Sequence, residues 1–101
     1  MLKTGARLRS QVCGTEVIVV RGNNADAVLH CGGHPMIDLT AGPARGFAID
    51  VGFAEGSVLG KRYTDDDNTV EVLVTHAGAG SLAVDGKVLT LKSAKPLPSS
   101  D

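Results

Sequence analysis

An all-β chain of short antiparallel strands, closed into a small barrel or sandwich, is what this sequence predicts, and three observations predict it. β-Branched or alternating apolar runs recur, as in TEVIVV (15–20) and TVEVLVT (69–75). In SLAVDGKVLTL, Asp85-Gly86 sits between two alternating apolar arms, the arrangement a two-residue type I′ hairpin turn requires. No stretch carries 3.6-residue apolar periodicity over a helical length. The 101 residues suit one domain, 1–101, with one core. Because Phe47, Phe53 and Tyr63 are its only aromatic residues besides histidine, that core must be built from Val, Leu, Ile and Ala.

Taken in order, RLRSQV (7–12) and TEVIVV read as the first two strands. RGNNAD breaks the pattern with Gly and Asn, which tolerate positive φ, so AVLH (27–30) is expected to return as the hairpin partner of TEVIVV. IDLTAGPARGFAIDVG (37–52), rich in Gly and Pro, reads as a long loop with one short strand. SVLGKRYT (57–64) reads as a strand, TDDDN as a loop and TVEVLVT as another strand, so that residues 57–92 form antiparallel strands ending in the Asp85-Gly86 hairpin. The total is six to eight strands. SAKPLPSSD (93–101) has two prolines and no periodicity and reads as a tail.

Charge narrows the range of partners. Ten basic and eleven acidic residues, for a formal charge of −1, give no positive field to gather onto phosphates, which argues against nucleic acid. MLKTGARLRSQV lacks the apolar core of a signal peptide, and no apolar run approaches the roughly 20 residues that cross a bilayer, so no membrane association is expected and the protein reads as cytoplasmic. In that compartment two cysteines stay reduced, which favours a metal site or two buried thiols over a disulfide.

The chemistry concentrates in QVCGTEVIVVRGNNADAVLHCGGHPM (11–36), which holds both cysteines and two of the three histidines. If the hairpin turns at Gly22-Asn23, Cys31 falls opposite Gly14, and the two sulfurs meet at its open end. Each cysteine is followed by glycine, which can adopt the positive φ that turns backbone N–H groups toward a thiolate. Cys31-Gly-Gly-His34 has C-x-x-H spacing, suited to two ligands gripping one ion. Cys13, Cys31 and His34 therefore form a candidate three-ligand set, with His30, His76, Asp38 or water as the fourth. An ordinary packed hairpin with two apolar thiols is the competing reading, since free cysteines are among the most buried residues.

The segment 7–36 resembles desulforedoxin and the N-terminal domain of desulfoferrodoxin, whose pattern is approximately Y-K-C-x-x-C-G, a β-hairpin, then L-V-C-C-G-E-P-M. Here the text is Arg9-Ser10-Gln11-Val12-Cys13-Gly14 and, after the turn, Leu29-His30-Cys31-Gly32-Gly33-His34-Pro35-Met36. The resemblance implies a rubredoxin-like hairpin, a bound iron or zinc, and pairing into a homodimer. The departures fall on the ligands: Ser10 replaces the first cysteine, and Gly32 replaces one of the adjacent pair, or His30 does in an alternative alignment. Two cysteines cannot build a tetrathiolate iron centre, so either a mixed Cys/His site for zinc or iron or a metal-free scaffold is left. Residues 50–101 lack the histidine cluster of the family's catalytic iron domain, and superoxide reduction is not implied.

Other motifs are weaker. GSVLGKR (56–62) has three residues between its glycines where a phosphate loop needs four. Asp65-Asp66-Asp67 reads as a solvated loop. THAGAGSLAVDGKVL is loosely similar to cupin text but has only His76 of the required ligands. The sequence thus points to a small accessory protein holding zinc or iron through Cys13, Cys31, His34 and His30, structural or redox-supporting and not itself catalytic. A metal-free interaction or small-ligand module serving a larger enzyme is the alternative, and a metal enzyme with an open coordination position comes third. A protein partner or second copy is the expected company.

Overall fold

Val-rich runs with period-two burial can hide one face only by stacking sheet on sheet, and this chain does so. The computed structural model describes residues 3–22, 28–42, 47–66 and 68–92. Within them lie ten strands: β1 (Arg7–Arg9), β2 (Glu16–Gly22), β3 (Leu29–Cys31), β4 (His34–Pro35), β5 (Ile37–Asp38), β6 (Arg62–Thr64), β7 (Val70–His76), β8 (Leu82–Val84), β9 (Lys87–Val88) and β10 (Thr90–Leu91). They form a six-stranded sheet in the order β10-β6-β7-β2-β1-β5 and a four-stranded sheet in the order β4-β3-β8-β9, every pairing antiparallel. The fold is all-β, as the strand pattern predicts. One 3-10 turn, Val51–Phe53, is capped by Asp50 Oδ1, which accepts from Gly52 N at 3.0 Å.

The two seven-residue strands β2 and β7 pair at the centre of the larger sheet. Val17 and Val19 from one and Val70, Val72 and Val74 from the other are almost wholly buried. The register shifts twice, with Thr75 the extra residue on β7 and Val20 the extra residue on β2. One bulge on each strand restores the alignment, so the valines stay inward while Thr75 and Val20 face solvent. From the smaller sheet come Leu29, Cys31, Leu82 and Val84, which join the same core together with Met36, Tyr63 and Leu89. Burying these aliphatic side chains is the main stabilising term, at roughly 1.5–3 kcal/mol for each large one.

A charged group is also buried. Glu71, 4 % exposed, accepts from Lys92 Nζ at 2.8 Å and Arg62 Nη1 at 3.4 Å, both half-exposed cations. Lys92 holds this carboxyl below the usual range first; burial opposes the shift, and the Lys92, Arg62 and Arg21 charges add to it.

Several expectations change. TEVIVV and AVLH do not form a hairpin: β2 pairs with β1 and β7, whereas β3 lies in the other sheet between β4 and β8. The reason is length, since the three-residue β3 cannot cover the Val17–Val19 face that seven-residue β7 matches along its whole run. The first predicted strand ends at Arg9, because residues 11–14 bend. Only Arg62–Thr64 of SVLGKRYT is strand, with Ser57 making an isolated bridge to Gly78. The Asp85-Gly86 turn joins β8 to β9 with φ of 53° and 79°, the positive pair a type I′ turn needs. The predicted turn at 23–27, part of the long loop (43–46), Asp67 and the tail 93–101 lie outside the described residues.

Candidate functional site

The two sulfurs do meet: Cys13 Sγ and Cys31 Sγ are 3.8 Å apart. They arrive from different layers. Cys13 sits in the turn from β1 to β2, and Cys31 ends β3 in the other sheet.

The β1–β2 turn is folded around Ser10. Its buried Oγ accepts N–H groups from both Val12 and Cys13 at 3.1 Å, while Ser10 N donates to Thr15 O at 2.9 Å and closes the turn. This side-chain-to-backbone bonding, common for serine, lifts Cys13 Sγ back over the turn. Cys31 is fully buried and is followed by Gly32 and Gly33 at φ of 66° and 88°, which return the chain directly into β4.

Both thiols lie against residues 78–80. A Cβ on Gly80 would stand 2.8 Å from Cys31 Sγ and 2.8 Å from Gly32 N; one on Gly78 would stand 2.5 Å from Thr15 N and 3.0 Å from Cys13 Sγ. Only glycine allows the backbone to pack so closely. Ser57 fastens this segment, donating from N to Gly78 O at 2.9 Å and from Oγ to Gly80 O at 2.6 Å.

The surroundings treat the sulfurs differently. Ser10 Oγ lies 3.3 Å and Thr15 Oγ1 3.2 Å from Cys13 Sγ, and Gly80 N donates to it at 3.4 Å. Hydroxyl hydrogens rotate, so the same oxygens that face a thiol can donate to a thiolate. Burial opposes ionisation of Cys13, but the bonds from Ser10, Thr15 and Gly80 outweigh it and bring the thiol from 9.0 down to about 7. Burial, and then the charge on Cys13, pushes Cys31 up to about 11 against the bonds from Thr15 and Ser10. Near neutrality the pair carries at most one negative charge, held on Cys13.

The histidines do not join this pair. His34 Nε2 bonds Ala48 O at 2.9 Å and its ring stacks on Phe47 with centroids 4.5 Å apart. His30 alternates to the opposite face of β3 from Cys31, with Nδ1 3.2 Å from Val28 O. His76 Nδ1 lies 2.8 Å from Gly14 O, and Asp38 Oδ1 accepts from Thr40 N and Oγ1. Among the described residues, no three side chains of His, Cys, Asp and Glu are grouped so as to hold a metal ion. As arranged, the donors are two cysteine sulfurs and neighbouring hydroxyls, which does not fit a closed four-ligand zinc or iron centre.

Sequence reasoning found both cysteines and marked Ser10 only as a missing ligand; Thr15, Ser57 and Gly80 went unmarked. The small-residue run Gly78-Ala79-Gly80 was the available signal, because glycines in strand-rich text mark close backbone approach. Among the described residues, no helix is long and apolar enough to cross a membrane. Compared with protein-family models, curated proteins and solved structures, the chain matches none of them.

Proposed function

We propose that this chain is a small redox accessory protein whose working group is the Cys13–Cys31 thiol pair, cycling between two thiols and one disulfide. The observation that carries this reading is the 3.8 Å approach of a fully buried sulfur to a partly open one that is flanked by two hydroxyls and a backbone N–H. Closing the bond brings the sulfurs from 3.8 Å to about 2.05 Å. In a reducing compartment such a disulfide is transient, which suits exchange chemistry rather than a permanent cross-link.

Thiol counting tests it. The reduced protein should show two titratable thiols when unfolded, and none after treatment with excess oxidised glutathione, with a mass loss of two hydrogens. Two thiols persisting after oxidation would overturn the reading.

A second reading, an accessory protein holding zinc or iron, is favoured by one measurement. A 3.8 Å sulfur separation is the edge of a tetrahedron with metal–sulfur bonds of about 2.3 Å. It requires His34 to leave Ala48 and Phe47, or a donor from a second copy. Metal near one equivalent in protein purified without added metal, with thiols blocked until chelation, would support it. Visible absorption would separate iron from zinc.

A further inference from the structure

We infer that Cys13 is the attacking sulfur of the pair and takes a low-molecular-weight disulfide as its substrate, with Cys31 as the resolving thiol and Ser10, Thr15 and Gly80 as positioning residues for the Cys13 thiolate. The inference rests on the thiol-exchange reading above.

Access sets the order. Cys31 has no exposed surface, so an external disulfide cannot reach it while the fold is intact, whereas Cys13 is partly open beside exposed Gly14. Charge sets the same order. The Gly80 backbone N–H donates to Cys13 Sγ, the Ser10 and Thr15 hydroxyls that accept from the thiol can rotate to face a thiolate, and a thiolate is the form that attacks. The flanking backbone also restricts size. Cys13 Sγ lies between the Ser10 turn and the Gly78–Gly80 backbone, so a small disulfide enters more readily than one embedded in a folded protein.

The steps balance. The Cys13 thiolate attacks one sulfur of RSSR, the S–S bond breaks, and RS⁻ leaves and takes up the proton that Cys13 released. A mixed disulfide remains on Cys13. Cys31, 3.8 Å behind it, gives up its proton and attacks Cys13 Sγ. The second RS⁻ departs and takes that proton. Two protein thiols are oxidised to one disulfide, and RSSR is reduced to two RSH.

Single-cysteine variants test the order, using oxidised glutathione as the probe and circular dichroism to check folding. Cys31→Ser should hold one equivalent of glutathione as a stable mixed disulfide on Cys13. Cys13→Ser should react at least about tenfold more slowly, because its remaining thiol is buried. In wild-type protein, brief iodoacetamide treatment followed by mapping should label Cys13 before Cys31, a check that needs no variant. Ser10→Ala should raise the pH midpoint of that labelling, which a purely structural role for the hydroxyl would leave in place. A wild-type disulfide that forms while the adduct is trapped on Cys31 would overturn the order of attack alone. Faster oxidation by a disulfide-bonded protein such as insulin would overturn the substrate class. Failure of wild-type protein to form any disulfide would instead sink the broader reading.

Discussion

The backbone N–H of Gly80 points at Cys13 Sγ from 3.4 Å, across 67 residues of sequence, while the Cα of the same glycine leaves no room for a methyl group beside Cys31 Sγ. One residue therefore supplies a donor to one thiol and a close-packed wall to the other. Gly80→Ala should cost about 1–3 kcal/mol through overpacking against Gly32 and Cys31. It should also move the Cys13 labelling midpoint upward as the N–H is displaced. Chemical denaturation and a pH series of alkylation rates measure the two effects; an unchanged midpoint in a folded variant would show that the N–H contact is incidental.

Cys13 reactivity should follow a titration centred near pH 7, where its thiol is held. Ionised Cys13 is better stabilised folded than unfolded, so its contribution to stability is full above 9.0 and is lost as the pH falls through about 7. Monobromobimane labelling from pH 5 to 9 would display the midpoint. A midpoint at the ordinary cysteine value would mean that the hydroxyl ring does not act on the sulfur.

Cys31 has the opposite sign. Its folded thiol is raised to about 11 from 9.0, so the stability it contributes is full below pH 9.0 and declines as the pH climbs toward 11. Urea denaturation between pH 8 and 11 should show this decline, and Cys31→Ala should flatten it while lowering stability overall by leaving a cavity.

Glu71 should govern part of the acid limb. With its carboxyl held low by Lys92 and Arg62, its contribution is present above the ordinary glutamate value of 4.5 and fades on acidification below it. Glu71→Gln should cost about 1.5–3 kcal/mol near neutrality, toward the lower end because both cations are half exposed and regain water. The variant should also unfold at a less steeply pH-dependent denaturant midpoint below pH 5.

In the core, Leu82→Ala should cost about 2–5 kcal/mol, since Leu82 is 2 % exposed among residues of both sheets. A loss below 1 kcal/mol would show that the two layers are not jointly packed there.

What the sequence made legible was local. Asp85-Gly86 specifies its own turn, and the β-branched runs specify strands whichever partner they find. Partner choice was not legible, because AVLH is preceded by turn residues that fit a hairpin with TEVIVV, and only the lengths and buried faces of β7 and β8, over 40 residues away, decide otherwise. The thiol encounter was anticipated by the wrong route, as two ends of one hairpin instead of two layers meeting. His34 illustrates the remaining gap: its C-x-x-H spacing suggests a ligand, but the side chain is engaged by Phe47 and the Ala48 carbonyl, partners no local pattern announces.

That the sulfurs come from opposite layers has a mechanical consequence. Joining them would rivet the six-stranded layer to the four-stranded one and close a ring between residues 18 apart in the unfolded chain, a constraint of about 3 kcal/mol by loop entropy. Resistance to heat then becomes a gauge of how many electrons the molecule holds.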